Sequence, residues 1–203
     1  MYIDVIRDTV LRNINIVVGK NLLDDDKLRK YNEANVHSIL QYCLLKVDEL
    51  GLLGIPEFKI KPGKPIDKHA IIGVYKGKRY QRTIRVDVAY LKDSKVVGFG
   101  EVVTPDEIHG VPTPKKPKLS WIAPSHKIEH LAKVIKPDFI ILLQVTIKHP
   151  PWEDARLYTL DEWEEHWKNF MRKTCEDNGI ECLHLIIRSM KNIQSHIWRK
   201  SRD

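Results

Sequence analysis

The sequence predicts an α/β protein with a central mixed β-sheet and helices packed on both of its faces. Three observations predict it. Apolar residues recur at helical spacing over the N-terminal quarter. A strand-rich stretch follows, from Glu57 to Thr104. Helix, apolar strand, helix and apolar strand then alternate to residue 188. That last alternation is the pattern of strands joined by crossover helices.

Each element has its own local reason. Ile3, Ile6, Val10, Ile14 and Val17 lie at helical spacing, with Gly19 as a stop. Asp24, Asp25 and Asp26 read as a solvated turn or a helix start rather than as a metal triad. A second helix is expected from Asn32, as N-cap, to Gly51. It buries Val36, Ile39, Leu40, Cys43, Val47 and Leu50, and carries a polar stripe of Glu33, His37 and Gln41. Strands are expected in 57–61, 69–91 and 94–104, with hairpin tips around Gly77 and in LKDSK at 91–95. The connector from Pro105 to Pro124 holds five prolines, three lysines and Trp121, and a loop of that length is functional or mobile.

A short helix over 125–135 takes Ser125 as its N-cap. PDFIILLQV (137–145) is a continuous apolar run, as expected of a strand covered on both faces in a parallel pair. Thr159 and Glu162 form a capping box, and Leu160, Trp163, Trp167, Phe170 and Met171 face inward from the helix it opens. Asn178-Gly179 ends that helix, and 180–188 is a further strand. We read one domain overall: an N-terminal helix and charged connector (1–31), a core (32–188) and a basic C-terminal tail (189–203).

Composition narrows the function classes. A chain of 203 residues, 42% hydrophobic and 30% charged, is globular rather than disordered. It has no run of eighteen apolar residues, and Asp4 and Asp8 interrupt the N-terminus, so neither a membrane span nor secretion is expected. Cys43, Cys175 and Cys182 sit in apolar contexts, without a CxxC pattern, and fit a reduced intracellular protein of the cytoplasm, or of the host cytoplasm if viral. The net charge is +7, and segment 58–82 alone carries eight basic residues against Asp67. With Tyr75 and Tyr80 interleaved, this suits a phosphate backbone; a solvated lysine-rich surface is the alternative. Abundant Lys, Ile and Val with few Gln fits a thermophilic source, archaeal or an archaeal virus.

The residue that raises a chemical question is Glu101, in the middle of VVGFGEVVTP. A buried carboxylate must be neutralised, paired or bound to a metal. Alternation puts Ile84, Val86, Val88 and Tyr90 on one face of their strand, opposite Arg85, Asp87 and Ala89. In the next strand Val97, Phe99, Glu101 and Val103 point one way. Pairing across LKDSK brings Asp87 and Glu101 to the same side, where they repel unless a divalent cation lies between them. Oxygen-only ligands favour Mg²⁺ or Mn²⁺. The structural alternative pairs Glu101 with Arg85 or Lys127.

The run RVDVAY-LKDSK-VVGFGEVV, followed by a helix and an apolar strand, resembles the core of the PD-(D/E)XK nuclease superfamily. That superfamily includes restriction endonucleases and archaeal Holliday-junction resolvases. The resemblance spans roughly residues 32–146 and extends to 159–188. It implies a restriction endonuclease-like αβββαβ core, Mg²⁺- or Mn²⁺-dependent cleavage of duplex or branched DNA, and a homodimer. Asp87 matches the superfamily's aspartate and Glu101 the first acidic residue of its (D/E)XK signature. A backbone carbonyl near Val102 is a further metal ligand, and Glu33 a candidate glutamate of the leading helix. The lysine expected two residues after Glu101 is replaced by Val103; Lys127, one helix later, is the candidate substitute. Without it the chain would be a nuclease-like DNA-binding protein with weak or no cleavage. DNA contacts are assigned to Lys76, Lys78, Arg79, Arg82, Lys115, Lys116 and Lys118. Gln144, at the end of the apolar strand, lines the site or is a satisfied edge residue.

His126-Lys127-Ile128-Glu129-His130 also matches H-x-x-E-H, the inverted zinc-peptidase signature, with no third ligand segment in view. Pro137-Asp138 lacks a following (D/E)XK, and GFG at 98–100 lacks the rest of a dinucleotide fingerprint.

Overall fold

The computed structural model describes residues 2–30, 34–47, 51–60, 72–75, 78–81, 84–117 and 123–200. In chain order the helices are α1 (Tyr2–Gly19), α2 (Asp25–Arg29), α3 (Ala34–Leu45), α4 (Pro124–Ile135) and α5 (Leu160–Asn178). The strands are β1 (Leu53–Ile60), β2 (Ile72–Tyr75), β3 (Lys78–Gln81), β4 (Ile84–Lys92), β5 (Lys95–Val103), β6 (Phe139–Val145), β7 (Glu181–Ser189) and β8 (Asn192–Trp198).

Six strands form one mixed sheet in the order β1-β4-β5-β6-β7-β8, while β2 and β3 pair as a separate ribbon. β5, β6 and β7 run parallel, and the other neighbours are antiparallel. α4 and α5 are the crossovers that parallel pairing requires. The sheet separates two cores. Ile3, Ile6, Val10 and Ile14 of α1 and Val36, Leu40 and Leu44 of α3 pack on one face. Ile128 and Leu131 of α4 and Trp163, Trp167 and Met171 of α5 pack on the other. β6 is buried along its whole length, as its unbroken apolar run predicts. Among the described residues, no helix is long and apolar enough to cross a membrane.

Several boundaries follow local chemistry. Asp93 (φ 49°) and Ser94 (φ 63°) make the two-residue LKDSK turn. Thr159 and Glu162 cap α5 reciprocally: Thr159 N–H donates to Glu162 Oε2 at 2.7 Å and Glu162 N–H to Thr159 Oγ1 at 3.2 Å. Gly179, at φ 61°, closes the helix. Pro56 sits in β1, a sheet edge, where a missing N–H is tolerated.

Other expectations are corrected. α3 stops at Leu45 instead of running on through Val47, because Asn13 Nδ2 donates to the carbonyls of Cys43 and Lys46 and Tyr90 OH donates to that of Leu44. The N-cap of α4 is Ala123, not Ser125: Pro124 fixes the first helical position and Ser125 is buried. Val86 does not share a face with Val88 and Tyr90. It packs in the α4–α5 core and they in the α1–α3 core, across a kink marked by Glu57 of β1 at φ 51°. Val97 packs toward α1 and α3, apart from Phe99 and Val103. The segment expected as a basic tail contributes β8, whose Ile193 and Ile197 pack on the α1–α3 core. The first part of the loop after Pro105 packs on the core. Ile108 and Val111 are core residues, and Trp167 Nε1 donates to the Ile108 carbonyl at 2.9 Å.

Candidate functional site

Beside the C-terminal end of β5 the sheet forks. β1 and β4 stay paired from Leu91 to Ile84, but the β4–β5 register reaches only Val88–Gly100. Asp87 lies in the opening and replaces the missing ladder bond: its Oδ2 accepts from Val102 N–H at 2.7 Å. In an extended strand a residue's N–H and C=O face the same edge, so the Val102 carbonyl also turns toward β4. Glu101 is 2% exposed and sits on the α4–α5 face with Phe99 and Val103.

From α4, Lys127 Nζ reaches Glu101 Oε2 at 2.5 Å. Arg85, the other candidate partner, instead pairs with Glu57 at 2.8 Å. Glu101 Oε1 is buried and has no hydrogen-bond partner among the described residues. From α3, His37 Nε2 lies 3.5 Å from Asp87 Oδ2. Gln41 Nε2 donates to the Asp87 carbonyl at 2.7 Å and to Glu57 Oε1 at 3.1 Å. His37 and Gln41, two members of the expected polar stripe, thus face the fork from α3.

Electrostatics follow from this crowding. Burial pushes the Glu101 carboxyl up to about 8; the Lys127 charge opposes the rise and the Asp87 charge adds to it. Burial also pushes Asp87 upward, but His37, Lys127 and the Val102 N–H outweigh it and hold Asp87 below the usual carboxylate value. Burial alone would lower Lys127, yet Glu101 and Asp87 raise it. The hydrogen bond to Asp87 raises His37.

The sequence expectations divide accordingly. Asp87, Glu101, Val102 and Lys127 come together. Glu33, Lys76, Arg82 and Lys118 lie outside the described residues, and Lys78 and Arg79 lie on β3. Lys115 is exposed and tethered: its Nζ donates to the Leu157 carbonyl at 3.2 Å and sits over the Tyr158 ring, 4.9 Å from the centroid. Lys116 N–H bonds Thr113 Oγ1 at 3.1 Å. Glu107, not foreseen, stands exposed at the rim, and its charge also raises Glu101. Its sequence signal was available, since Thr104 and Glu107 form a capping box in TPDE.

In the H-x-x-E-H segment, His126 is exposed, His130 is buried with Nε2 unpartnered among the described residues, and Glu129 bonds Lys133 at 2.6 Å. Among the described residues, no group of three or more His, Cys, Asp or Glu could hold a metal by itself. Zinc sites draw three or four such side chains, whereas Mg²⁺ keeps several waters and needs only one or two carboxylates. The donor set at the fork, two carboxylates and a peptide carbonyl, fits Mg²⁺ or Mn²⁺ and not zinc.

Gln144 is fully buried, and its Oε1 lies 2.7 Å from His184 Nε2. Its cross-strand partner on β5 is Val103, where the lysine of the signature is missing.

Comparison with protein-family models, curated proteins and solved structures finds no match to this chain.

Proposed function

We propose that the chain is a metal-dependent nuclease of the PD-(D/E)XK kind that hydrolyses DNA phosphodiester bonds. One observation carries the reading. Asp87 and Glu101, with Glu107 at the rim, gather around the ammonium of Lys127 at the open end of a mixed sheet. Lys127 pairs Glu101 and His37 faces Asp87, yet the two carboxylates still repel, and a divalent cation between them would relieve that repulsion.

Asp87, Glu101 and the Val102 carbonyl would hold Mg²⁺ or Mn²⁺, which when bound supplies Lewis acidity toward the phosphodiester and offsets its charge. The chain does the rest. Asp87 stays ionised through neutral pH, oriented by His37 and the Val102 N–H. Lys127, entering from α4, supplies the positive charge that Val103 cannot, and offsets charge developing on the phosphate oxygens. The basic segment 58–82 would hold the DNA backbone. Homodimerisation and an archaeal or archaeal-viral origin follow from the resemblance and the composition.

The test is cleavage of plasmid and branched DNA with Mg²⁺ or Mn²⁺ by wild type, Asp87→Ala, Glu101→Ala and Lys127→Ala. Cleavage should fall roughly a hundredfold or more in each while DNA binding persists. Unchanged cleavage in the two carboxylate variants would refute the site. Val103 in the lysine position favours a second reading, a binding-only relative. It predicts salt-sensitive DNA affinity with no metal-dependent cutting by the wild type.

A further inference from the structure

Among the described residues, the buried polar atoms without a hydrogen-bond partner include Glu101 Oε1, an acceptor, and Gln144 Nε2, a donor. A bound cation would satisfy the first, but no cation satisfies an N–H donor. Such a group, buried without an acceptor, costs about 1–3 kcal/mol, so native proteins rarely leave one. What satisfies Gln144 is therefore a separate question from what binds Glu101.

The sheet register supplies the answer. Glu101, Leu142 and His184 form one cross-strand row over β5, β6 and β7, and Gln144 lies two residues beyond Leu142 on β6. Paired residues share a face, so all four side chains stand on the α4–α5 side. Gln144 reaches along one diagonal to His184 at 2.7 Å. The opposite diagonal, of equal offset, leads to Glu101. His184 is fully buried, and burial lowers its pKa to about 3, so it is neutral. Facing an amide oxygen, its Nε2 must donate. The Gln144 oxygen is thereby turned toward β7 and the nitrogen toward β5. Gln144 Nε2 and Glu101 Oε1 make no direct bond, and a polar gap of this kind between buried partners is the setting for a bridging water.

We propose that Gln144, oriented by His184, is a positioning residue for Glu101, its amide N–H reaching Glu101 Oε1 through one ordered water beside Val103. The carboxylate is then held at both ends: Lys127 takes Oε2 and the water takes Oε1, with a second lone pair left on Oε1. The role for catalysis rests on the nuclease reading; the water does not.

Two measurements test it. A high-resolution crystal structure should show a water within about 3.2 Å of both Gln144 Nε2 and Glu101 Oε1. It should be lost in Gln144→Met, an apolar replacement of similar volume that leaves no donor and keeps the fold. In cleavage assays Gln144→Met should lose roughly 10- to 100-fold in kcat at unchanged KM for DNA, and Mg²⁺ affinity by titration calorimetry should fall with it. His184→Phe, which frees the amide, should reproduce the kcat loss. A dry gap in the wild-type crystal, or a Gln144→Met enzyme with wild-type kcat, overturns the proposal. A wild type that holds the water but cuts no DNA defeats the nuclease reading and leaves the water-bridged pair standing.

Discussion

Glu101 sets folding against cation binding at one residue. The folded chain holds its carboxyl at about 8, against an ordinary 4.5. A folded pKa raised above the unfolded one means that the folded state binds the proton more tightly. The stability it contributes is complete below about pH 4.5 and is lost as pH climbs through about 8. Glu101→Gln, a standing mimic of the protonated side chain, escapes that loss. In metal-free buffer its Tm should fall less than that of wild type between about pH 6 and about pH 9. Parallel Tm curves for the two proteins would show that Glu101 does not titrate in this range. Asp87 has the opposite sign: its folded pKa is lowered, so its contribution is present at neutral pH and disappears on acidification below its ordinary 3.8.

Among the elements, β5 shows most sharply how packing dictates sequence. A Cβ on Gly98 would stand 2.4 Å from the Phe139 ring of β6, so the strand tolerates no side chain there. Gly98→Ala should destabilise the fold by about 1–3 kcal/mol in urea denaturation, and Phe139→Leu in the same chain should recover part of it. The elements readable from sequence were those whose signals are local: the α5 capping box, the LKDSK turn, the apolar run of β6 and the heptad-like face of α1. Those that escaped depend on distant partners. α3 ends where Asn13 and Tyr90 take its last carbonyls, which no spacing within α3 announces. The face switch between Val86 and Val88 reflects a kink in the neighbouring β1. β8 (NIQSHIW) has no clean apolar alternation, with polar residues at 194–196, and flanking Lys191, Arg199 and Lys200 made the segment read as a basic tail. Of the site, residue types, strand positions and Lys127 as a candidate were legible, while the choice of Lys127 over Arg85 as partner of Glu101 was a matter of three dimensions.

At the scale of the molecule, the carboxylates cluster at the sheet fork, and the basic surplus is concentrated in the sequence of segment 58–82. If that surplus holds a phosphate backbone, the dependence of log affinity on log salt should be steep and insensitive to Asp87→Ala. Substituting Lys59, Lys61, Lys64 and Lys68 by Gln should flatten it by about 0.9 for each phosphate contact removed. A slope unchanged by all four would place the DNA elsewhere.

The fork between β4 and β5 has one more consequence. The Val102 amide bonds a side chain, where its neighbours along the strand bond the backbone of another strand, so its proton senses the charge on Asp87 directly. In an amide ¹H–¹⁵N spectrum, this one resonance should move when Mg²⁺ is added, and again when Asp87 protonates. It serves as an indicator built into the backbone, reporting site occupancy without any substrate.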